Sequence, residues 1–196
     1  RGVGGGGGGG SRSPTLRNEF ADLLSGDTFR VFTSRDVVGV EVGGAVKNVI
    51  ALSAGMCEGL GLGTNAMAAL VTRGCNEMAR LGDMFGAEPE TLSGLSGVGD
   101  TFGTCFGPLS RNRKTGYRLG QGETLDEVLC TSGGVAEGVP TAFALERFLR
   151  EHERVNRVEL RYPIIMGVAS VLRGELEPKQ GLSGLMSFPL RAEFYT

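Results

Sequence analysis

A mainly α-helical chain is predicted by three features of the 196-residue sequence. Val37 to Cys57 is apolar on nearly every face, with only Glu41, Lys47 and Asn48 interrupting strongly; a segment of that length and character is a buried central helix. Beyond it, cap and stop residues recur at helical spacing: Ser110, Thr124 with Glu127, Pro89 and Pro163 as starts, Gly86, Gly120 and Gly174 as stops. After the first thirty-five residues no βαβ rhythm appears, so no extended parallel sheet is predicted for the bulk of the chain.

The elements follow in order. Gly4–Gly10 satisfies the pattern G-x-G-x-x-G, but a dinucleotide-binding loop needs a strand before the glycines and a helix after them. Only Arg1, Gly2 and Val3 precede the run, and Ser11-Arg12-Ser13-Pro14 follows it, so residues 1–14 read as a flexible tail. Leu16–Leu24 has helical spacing and ends at Ser25-Gly26, and Phe29–Thr33 alternates as a short strand. These form a small unit over 15–35, and the helical domain occupies 36–196. Asp36 is a good N-cap for the central helix. Gly39, Gly43 and Gly44 lower its helix propensity by roughly 1 kcal/mol each relative to alanine, which predicts close approach of a neighbouring helix or of a ligand. Gly59–Gly63 breaks the pattern, and Thr64-Asn65 caps a helix from Ala66 to Phe85. A short helix follows from Pro89, then a glycine-rich loop with Ser96-Gly97-Val98-Gly99-Asp100. Further helices are predicted over Arg111–Leu119, after the Thr124/Glu127 capping box, over Val139–Arg150, and from Pro163 to Gly174.

Composition narrows the function classes. Hydrophobic residues make up 40% and charged residues 21%, as in a globular protein with a substantial core. A net charge of −2 argues against a nucleic-acid partner. No window of about 18 uninterrupted apolar residues occurs, so no membrane span is expected. Cys57, Cys75, Cys105 and Cys130 are far apart without a CxxC, and the single histidine, His152, lies in a charged stretch. No metal site or disulfide framework is therefore expected, and a histidine-based triad is out of contention.

Lys47, in the most apolar helix, is the first candidate for chemistry. Desolvation disfavours a charged amine, which would suit proton transfer near neutrality; the alternative is a lysine that snorkels outward or pairs with an acid such as Glu41. Asn48 beside it would bond a substrate oxygen or tie down a loop. Asp100, after Gly99, would hold Lys47 or a substrate hydroxyl, or serve as ordinary turn chemistry. Ser110-Arg111-Asn112 opens a helix, where free N–H groups and the dipole favour an anion and Arg111 adds a fork suited to phosphate. The alternative there is a solvated basic turn, Arg111-Asn112-Arg113-Lys114.

Taken in order, Val37–Ala51, Gly59-Leu60-Gly61-Leu62-Gly63-Thr64-Asn65, Gly97-Val98-Gly99-Asp100, Leu109-Ser110-Arg111-Asn112-Arg113 and Val135-Ala136-Glu137-Gly138 resemble the C-terminal domain of the NAD(P)-dependent glycerol-3-phosphate dehydrogenases. The match runs from about Phe20 to Leu185. The resemblance implies an all-helical substrate domain of the 6-phosphogluconate-dehydrogenase C-terminal type, with 15–35 as the last piece of a Rossmann domain. It implies reversible oxidation of sn-glycerol 3-phosphate to dihydroxyacetone phosphate with NAD or NADP. Lys47 matches the catalytic lysine, and Asn48, Asp100 and Thr104 match positions beside the reacting centre. Ser110, Arg111 and Asn112 match the glycerol-phosphate site, while Arg111, Val135 and Glu137 match cofactor contacts. A homodimer is compatible with the resemblance. So is a cytoplasmic location, or a plastid or other organelle where a targeting segment precedes Arg1. Complete family members begin with a Rossmann domain bearing a true glycine fingerprint and a further lysine. The chain by itself is therefore expected to show little or no turnover, and the alternative is a non-catalytic phosphometabolite-binding or dimerisation module. The Lys47-Asn48 pair and Ser110-Arg111-Asn112-Arg113 argue against a 3-hydroxyacid or 6-phosphogluconate dehydrogenase.

Overall fold

The computed structural model describes residues 5–131, 134, 136–152 and 157–187. Its N-terminal unit pairs two parallel strands, β1 (Gly5–Gly10) and β2 (Phe29–Ser34), across α1 (Pro14–Leu24), in register from Gly5 opposite Phe29 to Gly10 opposite Ser34. Ser13 caps α1 by accepting from the Leu16 N–H, and Pro14 sits in its first turn. Here the structure departs from the sequence reading: the glycine run expected as a flexible tail is a strand over Gly5–Gly10. Polyglycine has no side-chain alternation to read, yet its backbone donors and acceptors complement the β2 edge as well as any other residue's. Leu16, Phe20, Leu23, Leu24, Phe29 and Phe32 of this unit are all exposed.

The helical domain continues as α2 (Val37–Gly59), α3 (Thr64–Phe85), α4 (Pro89–Ser93), a π-helical turn (Leu95–Gly99), α5 (Asp100–Phe106), α6 (Arg111–Gly120), α7 (Leu125–Thr131), α8 (Gly138–His152), α9 (Val158–Arg161), α10 (Pro163–Leu172) and α11 (Pro178–Ser187). By length and composition α2 would suffice to cross a membrane. Instead it is the central core helix, with α3, α5, α6, α8 and α10 packed around it. Val46, Val49, Ile50, Ala51, Leu52 and Cys57 are buried along its length. Burial on several faces explains why its sequence lacks an amphipathic stripe.

Asp36 fixes the start of α2 in two directions. One carboxylate oxygen accepts from Gly39 N at 2.8 Å, capping the helix, and the other accepts from Glu88 N at 2.8 Å, just before α4. Burial pulls this carboxyl's pKa up, but bonds from the Gly39 and Glu88 N–H groups and the Thr91 hydroxyl outweigh it and hold it below its usual value.

The glycines of α2 explain themselves in pairs. A Cβ at Gly55 or Gly59 would collide with the carbonyl oxygens of Arg113 and Tyr117 on α6; one at Gly116 or Gly120 would collide with those of Leu52 and Met56 on α2. Two small-xxx-small faces thus let the α2 and α6 backbones meet. Earlier in α2, a Cβ at Gly43 would strike the Ser96 carbonyl of the π-helical turn. Close approach of neighbouring elements, one of the two causes predicted for the α2 glycines, is observed there.

Other boundaries differ from the reading in informative ways. Gly63, in extended conformation and without a side-chain bond, is the N-cap of α3 in place of Thr64-Asn65. The segment expected as a glycine loop is the π-helical turn leading directly into α5; its glycines permit that tight wrap, since a side chain at Gly97 would strike the Leu92 backbone. The Thr124/Glu127 capping box forms as read, with reciprocal bonds of 2.8 and 3.3 Å at the start of α7. Gly86 stops α3 at φ 76°.

Candidate functional site

Four separate pieces of sequence converge beside the middle of α2. Lys47 projects from α2 toward α5, and its Nζ meets Asp100 Oδ2 at 2.5 Å. The lysine side chain is 22% exposed and the aspartate 47%. Of the two readings of Lys47, a desolvated amine or a lysine paired with an acid, the structure shows a partly exposed ion pair. The partner is Asp100, one of the two alternatives for that residue, and not Glu41. Asp100 opens α5 because the π-helical turn delivers it there, packed against α2. The Thr104 hydroxyl donates to the Asp100 carbonyl at 2.6 Å, one turn back, which fixes the same turn of α5.

The second half of the site is the start of α6. Ser110 caps this helix by accepting from Arg113 N at 3.2 Å. The N–H groups of Arg111 and Asn112 precede any intrahelical acceptor and have no partner among the described residues. The basic turn divides sharply by role. Arg113 is paired with Glu58 at 2.5 Å, whereas Arg111 is exposed and has no carboxylate partner among the described residues. Its guanidinium lies over Gly134, 3.5 Å from where a Cβ there would sit.

Two buried asparagines join the halves. Asn48 Oδ1 accepts from Asn112 Nδ2 at 2.9 Å, and Asn112 Oδ1 accepts from Gly138 N at 2.8 Å. Asn48 Nδ2 donates to the Gly44 carbonyl at 3.1 Å and lies 3.5 Å from Glu137 Oε2. The relay pins α2, α6 and the start of α8 together. For Asn48, tying down a neighbouring segment is thus what its side chain does. For Asn112, expected at the substrate through the resemblance, the carboxamide is engaged inside the protein, and the group left for a ligand is its backbone N–H. Glu137 is exposed beside this relay. Val135 lies outside the described residues. Among the described residues no three His, Cys, Asp or Glu side chains gather as a metal site.

The structure thus assembles Lys47, Asp100, Asn48, Asn112, Arg111 and Glu137 in one region, with Thr104 and Ser110 supporting its helices. Sequence reasoning missed the Asn48–Asn112–Gly138 relay. Its members are 64 and 26 residues apart, and an asparagine carries no pattern that names its partner.

The chain resembles known proteins over most of its length. The family model for the NAD-dependent glycerol-3-phosphate dehydrogenase C-terminus matches residues 36–183. A Synechocystis protein named glycerol-3-phosphate dehydrogenase [NAD(P)+] is 45% identical over 94% of this chain and 56% of its own length. A chloroplastic glycerol-3-phosphate dehydrogenase [NAD(+)] from Arabidopsis thaliana is 44% identical over 91% of this chain and 41% of its own. The crystal structure of glycerol-3-phosphate dehydrogenase from Coxiella burnetii superposes with a TM-score of 0.87 at 34% identity, covering 95% of this chain and 55% of that one. The chain spans about half the length of the curated relatives it matches. With the helical architecture and that match over 36–183, the chain belongs to the NAD-dependent glycerol-3-phosphate dehydrogenase family and carries its C-terminal domain.

Proposed function

We propose that this domain binds sn-glycerol 3-phosphate and dihydroxyacetone phosphate and serves their interconversion with NAD or NADP. The observation that carries the reading is the pairing of two functions across the asparagine relay: a proton-bearing Lys47–Asp100 pair on one side, and on the other an Arg111 with no carboxylate partner among the described residues, at a capped helix start. The phosphate goes to Arg111 and the free N–H groups of Arg111 and Asn112, where a dianion meets a guanidinium fork and a helix dipole together. The C2 oxygen goes to Lys47. In the reducing direction the Lys47 ammonium donates a proton to the oxygen as C2 becomes tetrahedral, and in the oxidising direction the neutral amine takes it back. Asp100 holds the ammonium in place between turnovers. A bound nicotinamide dinucleotide supplies the hydride acceptor or donor. From this chain, Arg111, Val135 and Glu137 would contact it, and the exposed Arg111 and Glu137 fit that role as a charged and a hydrogen-bonding group. The cytoplasm is the compartment we favour, with the plastid as the alternative that the chloroplastic plant relatives suggest. A homodimer remains part of the reading.

A second reading, ligand binding without turnover, is favoured by one observation. The described residues offer only the β1–α1–β2 unit as nucleotide-domain surface. Both readings share the phosphate site, and nuclear magnetic resonance tests it. Titration with glycerol 3-phosphate is expected to shift the amide signals of Lys47, Asp100, Arg111 and Asn112. Shifts confined to other regions, or their absence at Arg111 and Asn112, would remove the site proposed here.

A further inference from the structure

We infer that Gly44 is a substrate-contact position, a gap in the α2 surface that admits the carbon skeleton of the phosphorylated triol beside Lys47. The inference rests on the function proposed above and adds a specificity-determining residue to it. Its basis is a contrast among the glycines of α2. At Gly39, Gly43, Gly55 and Gly59 a Cβ would collide with the Asp36 carboxylate and Thr91, with the Ser96 carbonyl, and with the α6 backbone, so packing within the chain accounts for each. At Gly44 a Cβ would meet no described atom within 4 Å beyond its chain neighbours and the surrounding backbone of α2 itself. The residue is half-buried in the interior of a 23-residue helix, where glycine weakens the fold relative to alanine and packing offers nothing in return.

The position of that open space identifies what fills it. Gly44 lies three residues before Lys47 and four before Asn48, on the same face of α2. Its carbonyl accepts from Asn48 Nδ2, so its backbone is tied into the relay that reaches Asn112 at the phosphate end. The free surface at Gly44 is therefore the α2 face beside the Lys47–Asp100 pair. A ligand with its phosphate at Arg111 and its C2 oxygen at Lys47 has its carbon chain left to run along that face. A methyl group at position 44 would occupy that space. It would exclude the three-carbon skeleton and leave the phosphate contacts untouched.

This arrangement gives stability and binding opposite signs in one variant. Gly44→Ala is expected to raise Tm by about 2 °C, because alanine favours the helix and nothing obstructs it. The same variant is expected to weaken glycerol 3-phosphate binding at least tenfold, while inorganic phosphate binds as in the wild type. Gly43→Ala, which meets backbone, is expected to lower Tm and serves as the internal contrast. A fall in Tm for Gly44→Ala would overturn the inference, since the fold itself would then need the glycine. A raised Tm with unchanged glycerol 3-phosphate affinity would overturn it too, because position 44 would then touch no substrate. Parallel loss of inorganic phosphate would contradict a contact with the carbon chain. A wild-type chain that binds neither glycerol 3-phosphate nor phosphate would sink the proposed function and this inference together, a result distinguishable from the others by the wild-type titration.

Discussion

Gly116→Ala is expected to be among the most destabilising single-methyl additions this domain can receive. The new Cβ would fall on the Leu52 carbonyl at the closest approach of α2 and α6, where the obstacle is backbone and not a flexible side-chain end. Relief requires the two helices to separate, which opens the core around Leu52 and Met56. Overpacking of this kind costs roughly 1–3 kcal/mol and occasionally more; rigid backbone on both sides puts this site at the upper end. Because the α2–α6 contact also sets Asn48 against Asn112, the variant should lose ligand binding along with stability. Urea unfolding is the check. Gly167→Ala on α10 is the natural control, since a Cβ there meets nothing within 4 Å and alanine should be neutral or stabilising. Equal midpoints for Gly116→Ala and the wild type would show that the helices do not meet as described.

Glu77 gives the second large effect and adds a pH dependence. It is fully buried on α3, and its two oxygens accept from Ile164 N at 2.8 Å and Ile165 N at 3.0 Å, in the first turn of α10. Tyr162, the N-cap residue of α10, makes no side-chain cap bond, so a carboxylate from another helix does the capping. Glu77→Ala leaves both buried N–H groups without an acceptor, at about 1–3 kcal/mol each, and opens a cavity at the start of α10. Burial raises the Glu77 pKa to about 7, although the two N–H bonds and the Arg80 and Arg73 charges pull it down. The folded value exceeds the unfolded one, so the protonated form favours folding. That contribution is complete below about pH 4.5 and disappears as the pH rises through about 7. Stability measured from pH 5 to pH 8 should therefore fall in the wild type by more than in Glu77→Gln, which keeps an acceptor oxygen but cannot titrate. Parallel curves for the two proteins would contradict the assignment.

These two sites mark where sequence is informative and where it stops. Local signals carried the helical frame: the unbroken apolar character of α2, the Asp36 and Ser110 caps, the Thr124/Glu127 box and the left-handed Gly86 each act within a few residues of themselves. Gly43 was legible as a packing position because a helix-interior glycine needs a cause, though not as facing the π-helical turn. What escaped was non-local. Glu77 reads as one more polar residue of an amphipathic helix, and its partners lie 87 and 88 residues away. The glycine run gave no pattern for β1, since pairing with β2 depends only on backbone. The sequence likewise carries no clear signal for short α9 and α11, as α9 has a single turn and α11 begins at a proline amid mixed polar residues. Lys47 and Arg111 stand out in the sequence as charges in unusual settings. That Lys47 pairs with Asp100 while Arg113, not Arg111, is neutralised by Glu58 required the fold.

The central claim is that a phosphate site stands at Arg111, joined to Lys47 through the asparagine relay. Calorimetric titration of the chain with glycerol 3-phosphate, with and without NAD, tests it most directly when run beside Arg111→Ala. The account predicts saturable binding by the wild type and at least a tenfold loss in the variant, whose fold should be unaffected because Arg111 is exposed and unpaired with any described carboxylate. Equal affinities in the two proteins, or no saturable heat from the wild type, would contradict it.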